Sequence, residues 1–155
     1  MNFSQALATK LEDIKRPPVM PVGNYTWMVT KHPELDAFES QKNGITYDRV
    51  TFMLSCVAPS DDVDPDDLAE YGNVQGQVQR KVFMFANGDD NKANYDRTMF
   101  DLRRFLGHLG VDESLALGEG LAASVNQQCL GELRHRPDPS NPEIIYAEIG
   151  RTAEL

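Results

Sequence analysis

The sequence predicts a mainly β domain with helices: a five-stranded barrel preceded by an N-terminal helix. Three observations predict it. Five stretches alternate apolar and polar residues with a period of two, one long stretch between the third and fourth of them has a helical period, and Gly- and Pro-rich breaks separate the elements. The length of 155 residues, 41% of them hydrophobic, suits one domain with one core.

The elements follow in order. Phe3, Leu7, Leu11 and Ile14 recur at spacings of four, four and three, which predicts a helix over residues 4–15 with one apolar face. Arg16-Pro17-Pro18 ends it, because proline lacks the backbone donor and holds the preceding residue extended. Residues 24–31 read as the first strand, with Tyr25, Trp27 and Val29 on one face. A polar stretch follows and closes on the turn signal Lys42-Asn43-Gly44. Residues 45–57 form the longest strand candidate. Val50, Phe52, Leu54 and Cys56 share a face, Ile45 and Tyr47 fall in the opposite phase, and a bulge near Asp48-Arg49 would reconcile the two halves.

The acidic segment carries its own short helix, capped by Asp64, opened by Pro65 and stopped by Gly72. Residues 75–86 are the third strand, where Val78, Arg80, Val82 and Met84 alternate with Gln79, Lys81, Phe83 and Phe85. Its C-terminal end is apolar on both faces and is expected to be covered on both. Tyr95, Met99, Leu102, Leu106 and Leu109 define the clearest amphipathic helix, closed by Gly110. A weaker helical stretch covers residues 113–127. The fourth strand runs over residues 129–136 and the fifth over 143–149, joined by a turn at Pro137–Pro142. Residues 1–20 are thus helix and linker, and residues 21–155 a barrel domain with an acidic loop at 61–72 and a helical insertion at 93–127. The order β-β-β-α-β-β is that of the oligonucleotide/oligosaccharide-binding (OB) barrel.

Charge narrows the function classes. The chain carries 15 Lys+Arg against 24 Asp+Glu, a net −9, which at first counts against an anionic partner. Six of those acids lie between Asp61 and Glu70, however, and the remainder holds 15 positive against 18 negative residues, or −3. Any nucleic-acid face is therefore expected away from that loop. Asp62, Asp64 and Asp66 have alternate-acid spacing, but an EF-hand loop needs glycine at its sixth position and a bidentate acid at its twelfth, where this chain has Asp67 and Asn73. No metal or cofactor is expected. With three histidines, two cysteines in apolar contexts, no Gly-x-Ser-x-Gly elbow and no Walker sequence, the chain does not read as an enzyme. The two cysteines suit a reduced intracellular chain, and neither a membrane-spanning run nor a secretory signal is expected.

Single-stranded nucleic acid is bound by aromatic platforms under the bases and cations along the phosphates. The predicted strands offer Tyr25, Trp27 and Tyr47 for stacking, and Arg49, Arg80, Lys81, Arg134 and Arg136 for phosphate. Phe52, Phe83 and Phe85 read as core, whereas Trp27 suits either role equally. A second reading is a protein-interaction module, an inhibitor or assembly factor, whose surface is Asp61, Asp62, Asp66 and Asp67. A third is a virion component whose copies pair through strand edges or the N-terminal helix.

The chain also resembles small phage-encoded proteins that bind single-stranded DNA or belong to replication modules. The resemblance lies in Pro21-Val22-Gly23-Asn24-Tyr25, Val50-Thr51-Phe52-Met53-Leu54, Phe105-Leu106-Gly107-His108-Leu109-Gly110-Val111 and Cys129-Leu130-Gly131-Glu132-Leu133. It implies an OB barrel that coats single strands during DNA replication or recombination in the host cytoplasm, with replication or recombination proteins as partners. Many such proteins carry an acidic C-terminal tail. This chain ends Arg151-Thr152-Ala153-Glu154-Leu155, so the Asp61–Glu70 loop is the candidate for that role.

Overall fold

The computed structural model describes residues 2–155. Six strands form one antiparallel sheet: β1 (Gly23–Val29), β2 (Glu34–Glu39), β3 (Thr46–Pro59), β4 (Val78–Ala86), β5 (Gln128–Pro137) and β6 (Ile145–Ala153). The 14-residue β3 is its spine. Along one edge it pairs β1 through its C-terminal half and β2 through its N-terminal half; along the other it pairs β4. The free edge of β1 pairs β5, and β5 pairs β6. The sheet is not closed into a barrel. Its two ends, β4 and β6, come into contact without a shared ladder, and Lys81 Nζ donates to the Gly150 carbonyl across the seam at 3.4 Å.

Alternation explains which side chains enter the core. Tyr25, Trp27 and Val29 of β1 meet Val50, Phe52, Leu54 and Cys56 of β3, Phe83 and Phe85 of β4, and Cys129 and Leu133 of β5. Helix α3 is numbered after two short helices, α1 (Phe3–Ala6) and α2 (Pro65–Tyr71). It spans Lys92–His108 and closes the core with Leu102, Phe105 and Leu106. Phe105 packs edge-on to Phe52 at 4.9 Å between ring centroids and tilted against Phe83 at 5.6 Å. A further short helix, α4 (Leu117–Ala123), adds Leu121.

Trp27 sits at the centre. It lies between Cys56 on β3 and Cys129 on β5, and its Nε1 donates to the Gly131 carbonyl at 3.1 Å. A Cβ at position 131 would stand 2.8 Å from Trp27 Cδ1, so glycine is what leaves room for the indole. Both cysteines are free and buried, and burial pushes each thiol up to about 11.

Several expectations are corrected. The N-terminal helix does not run over residues 4–15: only α1 and a 3₁₀ turn at Leu11–Asp13 form. Phe3, Leu7, Leu11 and Ile14 remain 62–86% exposed, because a stripe without a surface to pack on does not hold a helix together. The polar stretch before Asn43-Gly44 contains β2, so there are six strands rather than five. No bulge occurs near Asp48-Arg49, where β3 pairs both neighbours without interruption; the register shifts fall at Thr26/Trp27 and at Gly131/Leu133. The C-terminal end of β4 is covered on one face only: Phe83 and Phe85 are buried, while Val82 and Met84 face outward. Helix α4 is shorter than the stretch 113–127, and β6 continues to Ala153.

The buried tryptophan yields a stability prediction. Trp27→Ala should lose ~3–5 kcal/mol by cavity formation. Gly131→Ala should lose ~1–3 kcal/mol by overpacking the indole, and urea unfolding measures both.

Candidate functional site

Between β4, β6 and α3 the unclosed seam opens into a groove of about 1050 Å³. Four cationic side chains line it, Lys81, Arg104, Arg134 and Arg151, against one carboxylate, Asp101. His108 also faces the groove and shares a hydrogen bond with Thr152 Oγ1 at 2.8 Å. Tyr47 lies on the same wall, beside Met84.

Each cation is placed by a local feature. Lys81 is in the inward phase of β4, opposite Phe52, midway along the β3–β4 ladder. Its ammonium stands 5.5 Å from the Phe83 ring centroid and 5.7 Å from that of Phe105. No carboxylate forms an ion pair with it among the described residues. Burial lowers its pKa from the ordinary value, with small opposing contributions from the neighbouring charges. Arg134 lies flat across β6, where a Cβ on Gly150 would stand 2.7 Å from its Nε. Glu148 is 3.8 Å from Arg134 and 3.1 Å from Arg136, so one carboxylate serves two guanidiniums. Arg104 reaches Asp101 at 3.4 Å on the exposed side of α3.

A second feature adjoins the groove on the outer face of β2, β3 and β4. Phe38 and Tyr47 are cross-strand partners and stack with ring centroids 5.5 Å apart and planes 18° apart. Arg49 lies over the Phe38 ring at 4.8 Å and forms a bidentate pair with Asp36, with Nε to Oδ1 at 2.9 Å. That pair holds the Asp36 carboxyl below its usual range. Met84 and Val82 continue the same face, and exposed Arg80 stands beyond them on β4.

The residues expected to bind nucleic acid therefore fall into four places, three on the surface and one in the core. Tyr47, Lys81 and Arg134 line one groove. Arg49 and Arg80 stand on the outer face, and Arg136 lies further along β5 with its guanidinium 5.8 Å from the Tyr146 ring. Tyr25 and Trp27 are corrected from the stacking role: both are 0% exposed, and the Tyr25 hydroxyl donates to the Pro21 carbonyl at 2.7 Å. Their phase on β1 points into the core, so no base reaches them.

Three groove residues escape the sequence reading. Arg104 reads as a solvated helix face, and Arg151 lies beyond the expected end of the last strand; only the continued alternation to Ala153 would have included it. His108 offers no pattern of its own. Phe38 had a usable signal, because a strong Asn-Gly turn before β3 calls for a partner strand in front of it.

The acidic loop stands at the other end of the β3–β4 ribbon from Tyr47 and Ala86. Ser55↔Val78 and Tyr47↔Ala86 are eight ladder positions apart, roughly 27 Å. Two of its acids have structural work. Asp62 accepts from the Asn24 backbone amide at 3.1 Å and from its Nδ2 at 2.9 Å, and Asp64 caps α2 by accepting from the Asp66 amide at 2.8 Å. Asp61, Asp66 and Asp67 are exposed. Among the described residues no three His, Cys, Asp or Glu side chains gather as a metal site, and no helix is long and apolar enough to cross a membrane. Comparison with protein-family models and with curated proteins finds no match.

The half-buried ammonium makes a prediction. Lys81→Met keeps the packing on Phe83 and Phe105 and removes the desolvated charge, so it should raise the thermal midpoint at neutral pH. The unfolded chain binds this proton up to the ordinary 10.5 while the folded chain releases it earlier, so the wild-type penalty fades as pH rises. The two melting curves should converge toward pH 10.5.

Proposed function

We propose that this protein binds single-stranded DNA along the groove between β4, β6 and α3, on a scaffold of OB type. The observation that carries the reading is the charge of the groove: four cations against one carboxylate, in a chain whose net charge is −9. Such a surplus is what a phosphate backbone requires, and its release of counterions supplies most of the affinity. The Phe38–Tyr47 stack at the groove wall supplies the aromatic surface that bases use.

The connectivity supports the scaffold. The first strand pairs both the second long strand and the first strand after the helices; the helices stand between β4 and β5, and a hairpin ends the chain. In OB proteins the face of the second and third barrel strands and the adjoining loops take the oligonucleotide. Here that face is β3 and β4, which carries Tyr47, Arg49, Arg80 and Met84, and the loop joining the first two barrel strands is the β2 hairpin with Phe38. The reading is of a binding protein rather than an enzyme. Its setting in phage replication or recombination rests on the sequence resemblance.

The acidic loop favours a second reading through one observation. Asp61, Asp66, Asp67 and Glu70 are exposed with no ion-pair partner among the described residues, a surface suited to a basic protein. Both readings hold together if the loop recruits partners while the groove holds the strand.

Titration of a fluorescent oligo-dT at two salt concentrations tests the proposal. Binding should weaken with salt, and Arg134→Gln should lower the salt slope by about 1. Tyr47→Ala should lose ~1–3 kcal/mol if the ring stacks a base. Absence of binding at low salt, or binding indifferent to both substitutions, overturns it.

A further inference from the structure

Strand β6 carries one extra residue where it meets the seam. Gly131 pairs Thr152 and Leu133 pairs Ile149, so Gly150 and Arg151 together stand opposite Glu132 alone. Two residues against one is a β-bulge, which bends a strand and re-aims its side chains. Cations from the two neighbouring elements meet at this bulge. Lys81 Nζ on β4 donates to the Gly150 carbonyl at 3.4 Å. The Arg134 guanidinium on β5 lies against Gly150, where a Cβ would stand 2.7 Å from its Nε and 2.8 Å from its Cζ. Arg151, the second residue of the bulge, lines the same groove. We propose that the Gly150–Arg151 bulge is a seat for a single phosphate group held by Lys81, Arg134 and Arg151, and that Gly150 positions it.

The first support is missing countercharge. Lys81 and Arg151 form no ion pair among the described residues, and Arg134 has only Glu148 at 3.8 Å, a carboxylate that stands closer to Arg136 at 3.1 Å. The charges act on one another. Burial lowers the Lys81 pKa most, and the positive charges of Arg134 and Arg104 lower it further, against opposing contributions from Cys129 and Asp101. An anion between such cations relieves their repulsion. The rings of Phe83 and Phe105, 5.5 and 5.7 Å from the ammonium, keep water from one side of it and strengthen its attraction for that anion.

The second support is direction. The three cations come from three strands, β4, β5 and β6. A carboxylate offers two oxygens in one plane, whereas phosphate oxygens point tetrahedrally. Arginine meets them as a planar fork and lysine as a point charge.

Gly150 contributes space. It is not among the glycines with positive φ, so the missing Cβ, rather than an unusual backbone, is what the seat uses. Alanine therefore suits the backbone and displaces only the end of a long, flexible side chain. The seat lies within the proposed DNA groove, and only the source of its phosphate, within the strand or at its end, rests on that reading.

Titration of the isotope-labelled full chain with inorganic phosphate at constant ionic strength, followed by amide NMR, tests the seat without DNA. Saturable shifts are expected around Gly150, Arg151 and Arg134, and none with acetate. Gly150→Ala should abolish them although it alters no charge, and Arg134→Gln should do the same. Lys92→Gln, which removes a cation paired with Asp96 at the start of α3, should leave them intact. Thermal midpoints check that each variant stays folded. Shifts that fail to saturate, that acetate reproduces, or that persist in Gly150→Ala overturn the seat.

Oligo-dT with and without a terminal phosphate then identifies the source. Tighter binding of the phosphorylated strand, lost in Gly150→Ala, marks a terminal phosphate. Equal binding whose salt slope falls by about 1 in Gly150→Ala marks a phosphate within the strand. A phosphate response without any oligo-dT binding keeps the seat and removes single-stranded DNA as its source. Oligo-dT binding without a phosphate response overturns the seat and leaves the DNA reading standing.

Discussion

Lys81 is the point on which the upper half of the molecule turns. The sheet runs out at β4 and β6, and two strand edges face each other without the ladder that would close them. An ammonium group fills part of that gap, donating to the Gly150 carbonyl of β6 and resting on the rings of Phe83 and Phe105. An apolar side chain there would suit stability better, since burial disfavours the charge and no carboxylate forms an ion pair with it among the described residues. A cation kept at such a place makes sense where an anion is to be met. Around it the edges stay apart far enough for a groove, and Arg104, Arg134 and Arg151 enter that groove from three different elements.

The rest of the electrostatics follows the same division. The six acids between Asp61 and Glu70 account for most of the net charge, and they stand roughly 27 Å from the Tyr47–Ala86 end of the ribbon. At physiological salt that is about three screening lengths, so the loop does little to repel a strand at the aromatic end. Exposed single-contact ion pairs such as Arg104 with Asp101 and Arg136 with Glu148 are worth little in solution. Lys81 differs in having no carboxylate to give up.

Most of the strands were legible in the sequence because the period-two alternation of β1, β3, β4 and β5 is strong, and burial follows it except at Thr51 and Ala86, which are buried out of phase. What alternation does not say is which of two apolar faces meets the core. Trp27 and Tyr47 are both aromatic residues on alternating strands, yet Trp27 packs between two neighbouring strands while Tyr47 stacks on Phe38 outside. That difference is set by tertiary pairing. β2 was invisible because its exposure is nearly uniform and its place depends on pairing with β3 rather than on burial. The N-terminal stripe has the opposite lesson, since a clear helical period gives a helix only when something covers it. The groove was half legible: Lys81 and Arg134 sit on recognisable strands, whereas Arg104 and Arg151 join them only through the way α3 and β6 meet at the seam.

On the proposed reading, a single strand of DNA lies in the groove between β4, β6 and α3. Photo-cross-linking of a bromouracil-substituted oligodeoxynucleotide, followed by mapping of the linked peptides, tests it most directly. Adducts are expected in the peptides that carry Tyr47, Lys81–Met84, Arg104–His108 and Arg134 or Arg151. Adducts confined to other surfaces, or none under conditions where the oligonucleotide is bound, would rule the groove out as the binding site.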